Sequence, residues 1–322
     1  MAKILVYGWY GHGNVGDELM AEALKKILVG HELKFVSYIK NSDLVNIDLV
    51  IVGGGSFLSF PLNMDGAAFT SIGKKPIVYV GVGAETEVHS EQEQHLRRAS
   101  AVFVRSAPSE SFAAVRSDAI LMSDLSLALQ TPSFIKRPER QILFVPNAQV
   151  LPTRVSPNWE RAAWDYFKSE AAQALDELII AGWKVTMAPF CDDANRRDSW
   201  ACAELIAHCS ERRAIRCLDA TWYGDAAFAK VRSIFDTCSV VVTQRYHGAV
   251  IAQSTGAPCV VIHHHDKLAR IDPTVAKLVP YYGVQKHALK SAIGSAEVPA
   301  PVTNSSAFAE VRAAVEKALV KS

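Results

Sequence analysis

The chain has 322 residues, of which 49% are apolar and 21% are charged. This composition is ordinary for a globular protein, and the length is enough for two hydrophobic cores, so we expect two domains. The 34 basic residues nearly balance the 33 acidic ones and leave a net charge of +1. That balance excludes a global field that would attract nucleic acid, so any anion site must be built locally.

The start of the chain and its apolar runs predict a soluble protein of the cytoplasm. The first strand-like run begins at Lys3, which leaves no room for the three regions of a secretory signal. The longest apolar runs have the length of a strand, whereas a membrane-spanning helix needs about 20 apolar residues. None of the six cysteines shows paired C-x-x-C spacing, and free thiols are therefore expected.

Short runs rich in Val and Ile alternate through the first half of the chain with longer amphipathic segments, which is typical of repeated βα units. Nearly continuous hydrophobic strands indicate a parallel sheet covered by helices on both faces. The predicted strands are 3–7, 33–38, 47–53, 76–83, 101–106 and 119–124. We interpret residues 1–130 as an N-terminal doubly wound, Rossmann-like α/β domain.

A glycine-rich turn, 8-GWYGHGNVGDEL-19, directly follows the first predicted strand and opens a helix. Backbone N–H groups of such a turn can approach an anion or a sugar, although the glycine spacing is not the dinucleotide fingerprint G-x-G-x-x-G. Carboxylates are also favoured in a first helical turn by the helix dipole alone, and an Asn can simply cap the helix. The candidate ligand-facing residues are Gly13, Asn14, Gly16, Asp17 and Glu18.

The segment 53-GGGSFL-58 follows the third predicted strand. Its backbone could run close to a ligand, with Gly54, Gly55 and Ser56 as candidates, although a tight turn without a ligand has the same sequence pattern. Two further candidates end later strands, Arg105 and Asp124. Either could instead form an interdomain or capping contact.

Residues 131–140, TPSFIKRPER, carry two prolines and little periodicity, which favours an interdomain linker. A second βα series follows, with predicted strands at 141–147, 184–190, 214–219, 239–244 and 259–264. We interpret 141–300 as a second Rossmann-like domain, with a surface crossing from 284 to 305. A C-terminal helix within 301–322 could pack back on the N-terminal domain. Two such domains are expected to face each other across a ligand-binding cleft.

The segment 243-TQRYHGAVIAQSTGAP-258 ends a strand and starts a helix. Arg245 and His247 are placed where a guanidinium and an imidazole can hold and protonate an anionic substrate, and Gly248 permits a close approach. A polar loop that merely borders a helix is the alternative.

Three consecutive histidines and a lysine follow the next strand, in 263-HHHDK-267. Consecutive residues at a strand end point in alternating directions, so the pattern does not favour a metal site. Lys267 could supply a point charge for a phosphate. A solvated surface lysine would look the same.

In combination, these motifs resemble the polysaccharide pyruvyl transferase family. The resemblance is carried by G-x-G-N-x-G-D-E after the first strand, the GGG loop, VYVGVG, and R-x-H-x-x-x-x-A-x-x-x-G-x-P with a following lysine, in order from Gly8 to Lys267. It implies a GT-B-like fold, phosphoenolpyruvate as co-substrate with no cofactor, and a sugar of a cell-surface polysaccharide precursor as acceptor. By position, Asp17 would face the acceptor, whereas Arg245, His247 and Lys267 would face the donor.

The chain departs from the family at two places. Family members often read R-D-x-x-S where this chain has 105-RSAPSES-111, so an acid is replaced by Ser106. An arginine often ends the first strand of the second domain, where this chain has 144-FVPNAQ-149. Arg105 or Arg154 could substitute for that arginine.

The expected reaction forms a pyruvate ketal, with His247 as general acid and Asp17 as proton acceptor. Arg245, Lys267, Gly248 and Arg105 would bind the donor. The alternatives are a nucleotide-sugar glycosyltransferase or epimerase on the same fold, and a catalytically silent sugar-binding protein. Family acceptors are often lipid-linked, which allows peripheral contact with the inner face of the membrane, but no basic amphipathic helix indicates it.

Overall fold

The computed structural model describes residues 1–55, 58–130, 136–151, 153, 156–193, 196–219, 221, 227–299 and 305–320. The chain divides into two compact units. The first consists of residues 1–12, 16–129 and 303–322, and the second of residues 13–15 and 130–302.

The first unit contains a six-stranded parallel sheet in the order β2-β1-β3-β4-β5-β6. Its strands are β1 (Lys3–Tyr7), β2 (Glu32–Val36), β3 (Leu49–Gly55), β4 (Ile77–Val82), β5 (Ala101–Val104) and β6 (Ile120–Leu121). The early helices are α1 (Val15–Ile27), α2 (Gly66–Ile72), α3 (Ser90–Arg98) and α4 (Glu110–Val115), with 3-10 turns at Asn41–Leu44 and Leu125–Leu129. All six residues of β4 are buried, which explains its continuous hydrophobic run.

The second unit contains another six-stranded parallel sheet, in the order β11-β8-β7-β12-β13-β14. Its strands are β7 (Gln141–Val145), β8 (Lys184–Met187), β11 (Ile215–Cys217), β12 (Val240–Thr243), β13 (Cys259–His263) and β14 (Lys277–Pro280), and a separate antiparallel pair is formed by β9 (Asp192–Asp193) and β10 (Arg196–Arg197).

The helices of the second unit alternate with its strands. They are α5 (Asn158–Ile180), α6 (Asp198–His208), α7 (Ala227–Asp236), α8 (Tyr246–Thr255), α9 (Asp266–Ala269) and α10 (Lys286–Gly294), with 3-10 turns at Ala148–Val150 and Arg212–Ala214. The core is formed by the long helix α5 against the sheet, with Trp164 and Phe167 among its fully covered side chains. The predicted pair of doubly wound, Rossmann-like domains is confirmed.

In each sheet, the first strand lies in the interior. The chain adds its next strands on one side of this strand and its later strands on the other side. The reversal lies between β1 and β3 in the first unit and between β7 and β12 in the second. Ligands of open parallel sheets bind at the carboxyl ends of the strands at such topological switch points. The segments that follow these four strands are therefore the places to look for a site.

Near the end of the second unit, one sequence prediction was wrong and one strand was missed. The segment from 284 to 305 was expected to be a surface crossing, but it contains helix α10, which buries Leu289 and Ile293. Strand β14 was not predicted at all, because a sequence of four residues, KLVP, carries too little periodicity to be recognised. It adds to the edge of the sheet beside β13.

The last helix, α11 (Ser305–Val320), packs against β4 and the 3-10 turn Leu125–Leu129 of the first unit. It buries Val311, Val315 and Ala318. No helix in the described ranges is long and apolar enough to cross a membrane.

Arg137, from the predicted linker, is hydrogen-bonded to helix ends of the second unit. Residues 131–135 of the linker lie outside the described residues. The Arg137 guanidinium donates to the carbonyls of Phe235 at 2.6 Å and Cys238 at 3.1 Å, and to those of Thr255 at 2.5 Å and Gly256 at 3.3 Å. These carbonyls lie at the ends of α7 and α8, where backbone acceptors lack helical partners and a cation is favoured.

Candidate active site

The switch point of the first unit is built from two backbone segments in close contact. A Cβ atom at Gly8 would lie 2.5 Å from the carbonyl oxygen of Gly53, so only glycine fits there. The Tyr10 hydroxyl donates to the same carbonyl at 2.6 Å, from a ring that is almost completely buried. The turn after β1 is thus fixed to the last part of β3.

The turn after β1 is stabilised by a carboxylate of the following helix. Gly11 has a φ of +77°, a conformation that other residues rarely adopt, and its N–H donates to Oε1 of Glu18 at 2.8 Å. The neighbouring Asp17 is buried. Burial, and after it the negative charges of Asp17 and Glu18, raises the pKa of Tyr10 well above its ordinary value. The predicted Asp17 and Glu18 thus place two carboxylates close to the buried Tyr10.

The other glycine candidates also lie in restricted backbone. Gly54 and Gly55 have φ values of +70° and +94°, and a Cβ at Gly54 would meet Sδ of Met20 at 2.7 Å. The predicted Ser56 lies outside the described residues. Residues 13–15 group with the second unit, in which Asn14 forms a β-bridge with Cys191.

Arg105 forms a buried ion pair with Asp124 in the first unit. Its Nη1 lies 3.3 Å from Oδ2 of Asp124, and the two side chains are 2% and 1% exposed. The other oxygen of Asp124 accepts from the N–H and hydroxyl of Ser126 at 3.0 and 2.7 Å. The donor-binding role of Arg105 stays a prediction, and the structure shows a guanidinium engaged by a neighbouring carboxylate.

Ser106 stands where family members often have an acid, and an acidic side chain from another part of the chain lies beside it. The Ser106 hydroxyl donates to the carboxylate of Glu85 and accepts from the N–H of Ala84 at 2.9 Å. Sequence reasoning missed Glu85, because it follows β4 whereas Ser106 follows β5. Only the pairing of the two strands brings them together.

At the switch point of the second unit, Arg245 is held by a carboxylate that the sequence analysis missed. Nε of Arg245 donates to Oδ2 of Asp198 at 2.9 Å, and Nη2 donates to Oδ1. The Arg245 side chain is 13% exposed, whereas that of Asp198 is fully buried. This bidentate geometry fixes the plane of the guanidinium.

Asp198 is further held by two backbone groups. It accepts from the N–H of Ala148 at 2.8 Å and from that of Phe190 at 3.1 Å. These residues follow β7 and β8, so one carboxylate joins the ends of two strands to Arg245 after β12. In the sequence, an acid at the first position of α6 is explained by the helix dipole alone, and no local signal distinguishes it.

Glycine is required at residue 248. A Cβ there would lie 2.2 Å from Oγ1 of Thr243. That hydroxyl accepts from the N–H of Arg245 at 2.9 Å and donates to its carbonyl at 3.0 Å. His247, the second residue of α8, is half-buried with its ring edge-on to Tyr246 at 5.4 Å.

Lys267 lies beside the same helix start. Its Nζ is 4.4 Å from the centroid of the Tyr246 ring, within the range of a cation–π contact. The predicted residues Arg245, His247, Gly248 and Lys267 are therefore brought together at the first turn of α8. A cation pair and an imidazole in this arrangement can bind an anion and transfer a proton to it.

The departure at Asn147 creates a neutral, buried amide cluster. The N–H of Asn147 donates to Oε1 of Gln244 at 3.1 Å, and its Nδ2 donates to the Gln244 carbonyl at 3.3 Å. Nδ2 also lies 3.4 Å from Nε2 of His264. Burial first, and then the charges of His265 and Arg245, lowers the pKa of His264 to about 3. Arg154, the other proposed substitute, lies outside the described residues.

The rings of His264 and His265 lie edge-on to each other with centroids 4.4 Å apart, but their nitrogens have different partners. His264 contacts Asn147, whereas Nδ1 of His265 accepts from the N–H of Leu268 at 3.4 Å and so caps α9. Among the residues whose placement is described, no group of three or more His, Cys, Asp or Glu side chains could hold a metal ion.

Two doubly wound parallel sheets, with polar residues at both switch points, define a protein of the GT-B fold class. The family model for polysaccharide pyruvyl transferase matches residues 14–266. The chain belongs to this family, and the resemblance seen in the sequence is confirmed.

Solved structures support the fold at low sequence identity. UDP-GlcNAc 2-epimerase of Neisseria meningitidis, solved with UDP-GlcNAc, is 12% identical with a TM-score of 0.57, and all of both chains is covered. The Methanocaldococcus jannaschii enzyme, solved with UDP-GlcNAc and UDP, is 9% identical with a TM-score of 0.57, over 98% of this chain and 100% of that one. A Listeria monocytogenes protein, provisionally assigned as such an epimerase, is 14% identical with a TM-score of 0.61, over 99% and 97% of the two chains. Curated protein sequences give no match.

Proposed function

We propose that the protein transfers the pyruvyl group of phosphoenolpyruvate to two hydroxyls of a sugar, forming a ketal on a cell-surface polysaccharide or its lipid-linked precursor. The observation that carries this proposal is the cluster at the start of α8, where Arg245 is fixed by Asp198 and Lys267 lies over Tyr246 beside His247. Family membership supports the reaction class. The reaction would take place in the cytoplasm, at the inner membrane face where the acceptor is lipid-linked.

The chemistry assigns a task to each of these groups. In the first step, His247 protonates the methylene carbon of the enol while a sugar hydroxyl adds to the adjacent carbon and loses its proton to Asp17. In the second step, another hydroxyl forms a bond to the same carbon and gives its proton to the neutral His247. The bond from this carbon to the phosphate oxygen breaks, and inorganic phosphate leaves with the proton held by Asp17. Arg245 and Lys267 hold the carboxylate and phosphate charges throughout. The proposal needs no metal or other cofactor.

The test is acceptor-dependent release of phosphate. The protein is incubated with phosphoenolpyruvate and a panel of glycosides, and both phosphate and the ketal methyl group are measured. His247→Ala is expected to lose about 10²-fold or more of the rate, with the thermal unfolding midpoint as the control for folding. Absence of phosphate release across the whole panel would contradict the proposal.

A nucleotide-sugar glycosyltransferase or epimerase is the second candidate. It is favoured by the similar structures solved with UDP-GlcNAc, and Arg245 and Lys267 would then hold a diphosphate. Calorimetric titration separates the candidates, because phosphoenolpyruvate should bind in the first case and UDP in the second. Loss of the bound ligand in Arg245→Gln would assign either one to this cluster. A silent sugar-binding protein would bind glycosides and neither anion.

A further inference from the structure

We infer that Trp9 and His12 form a stacking platform for the pyranose ring of the acceptor sugar, an inference that rests on the proposed function. The two rings lie parallel in the turn after β1, with their centroids 4.0 Å apart and their planes 17° apart. Trp9 is nevertheless 43% exposed. A large aromatic surface is thus presented to solvent at the switch point of the first unit, where ligands of such sheets bind.

The turn holds this pair in place through its backbone. Gly8 lies against Gly53, and the buried Tyr10 anchors the next position through its hydroxyl bond. Gly11, with its positive φ and its N–H on Glu18, then reverses the chain. His12 is thereby brought back over Trp9. A rigid ring loses little conformational entropy when a ligand stacks on it.

The local charge favours a neutral sugar over a nucleotide. Burial, and after it the carboxylates of Asp17 and Glu18, raises the pKa of nearby Tyr10, and carboxylates at this turn disfavour a diphosphate. A pyranose is uncharged. One of its faces carries C–H groups that suit the negative face of an aromatic ring, and carboxylates accept hydrogen bonds from its hydroxyls.

The other exposed tryptophans in the described part of the chain have different surroundings. Trp159 is 59% exposed and lies in the first turn of α5, tilted by 51° to Tyr282 at 6.2 Å. Trp200 is 52% exposed, and the guanidinium of Arg197 lies 5.6 Å from its ring. Neither follows a strand at a switch point. Trp159 is therefore a suitable control for loss of an exposed tryptophan.

The experiment compares Trp9→Ala, Trp9→Phe and His12→Ala with Trp159→Ala. In the phosphate-release assay, Trp9→Ala should raise the KM for the acceptor about 10-fold, which corresponds to the loss of one ring-stacking contact, and leave the KM for phosphoenolpyruvate unchanged. Trp9→Phe should retain most of the affinity, because it keeps an aromatic face. Trp159→Ala should behave like the unmodified protein.

A binding measurement separates failure of this inference from failure of the proposed function. Saturation-transfer NMR with the methyl glycosides of glucose, galactose and mannose needs no turnover, and its signal should weaken in Trp9→Ala but not in Trp159→Ala. An unchanged acceptor KM or an unchanged NMR signal in Trp9→Ala overturns the platform, as does stronger transfer to UDP that depends on Trp9. If the unmodified protein releases no phosphate but the NMR signal depends on Trp9 as expected, only the proposed pyruvyl transfer is contradicted. His12→Ala, which removes the stacked ring and should also raise the acceptor KM and weaken the NMR signal, serves if Trp9→Ala does not fold.

Discussion

Asp198 determines the orientation of Arg245 at the start of α8. Its two oxygens accept two bonds from the guanidinium and one each from the N–H groups of Ala148 and Phe190. A fully buried carboxylate needs such partners, because an unpaired buried charge is costly. We therefore interpret Asp198 as a positioning residue that acts through Arg245.

Replacement of Asp198 by Asn should separate positioning from folding. The amide keeps one acceptor but places an NH₂ group against a donor, so the bidentate pair is broken. We expect the KM for phosphoenolpyruvate to rise about 10-fold or more, with a smaller change in kcat. Asp176→Asn is the matched control, since Asp176 accepts from the N–H groups of Ser210 and Glu211 in the same unit. Equal losses of stability with no change in KM would show a purely structural role.

His264 should make stability dependent on pH. Its pKa is about 3 in the folded protein, against an ordinary value of 6.5, so the unfolded chain binds the proton more readily. The contribution of His264 to the free energy of unfolding is therefore fully present above pH 6.5. It is lost as the pH falls towards 3, by about 2 kcal/mol between pH 6.5 and 5.

Urea unfolding at pH 7 and pH 5 measures this effect. His264→Gln should reduce the pH-dependent loss of stability, whereas the exposed His208→Gln should leave it unchanged. Part of the dependence should remain in His264→Gln, because burial lowers the pKa of His95 to about 4. An identical pH dependence in His264→Gln and the unmodified protein would show that His264 is not neutral in the folded state.

At the scale of elements, the start of α8 depends on close contact between the helix and its preceding strand. Thr243 ends β12, and its hydroxyl binds both backbone groups of Arg245. Gly248 lies directly against that hydroxyl. The position of Arg245 therefore depends on Gly248, about one helical turn later, having no side chain.

Gly248→Ala should displace this contact. The added methyl group cannot fit 2.2 Å from Oγ1 of Thr243, so we expect a loss of about 2 kcal/mol in unfolding free energy and weaker binding of phosphoenolpyruvate. Gly294→Ala, at the last position of α10, meets no atom within 4 Å and should be neutral or slightly stabilising. Urea denaturation and calorimetric titration of both variants provide the check. Unchanged stability in Gly248→Ala would show that Thr243 can move freely.

The extent of burial of each element explains whether it could be predicted from the sequence. Strands such as β3 and β4 were found because burial on both faces leaves continuous apolar runs. Helix α10 was missed because it buries only Leu289 and Ile293 and is followed by a segment rich in Ser, Ala and Pro. A short helix with two core residues carries little more signal than a loop.

At the scale of the whole molecule, the first unit is not one continuous stretch of the chain. The first unit contains residues 1–12 and 16–129 together with 303–322. Its last helix, α11, packs against β4, and Val311 and Val315 of this helix are buried. The core of the first unit is thus completed by a segment that follows the second unit in sequence.

A charge on the buried face of α11 should destabilise the first unit selectively. Val315→Asp places a carboxylate at a fully buried position, and a loss of about 3 kcal/mol is expected. Hydrogen exchange followed by mass spectrometry should show faster exchange in β1, β3 and β4, and unchanged protection in β7 and β12. Val320→Asp in the same helix, at a residue 87% exposed, is the control. Equal effects in both sheets would show that the units unfold together.

The sequence by itself determined the two βα series, the doubly wound fold and the family, because strand and helix periodicities and short motifs are local properties of the chain. It also indicated Arg245, His247, Gly248 and Lys267, which share the ends of two neighbouring strands. Only the tertiary structure decided their partners. Asp198 lies 47 positions from Arg245, and Glu85 meets Ser106 through the pairing of two strands. Such contacts depend on strand order and on the burial of charge, which no local pattern encodes.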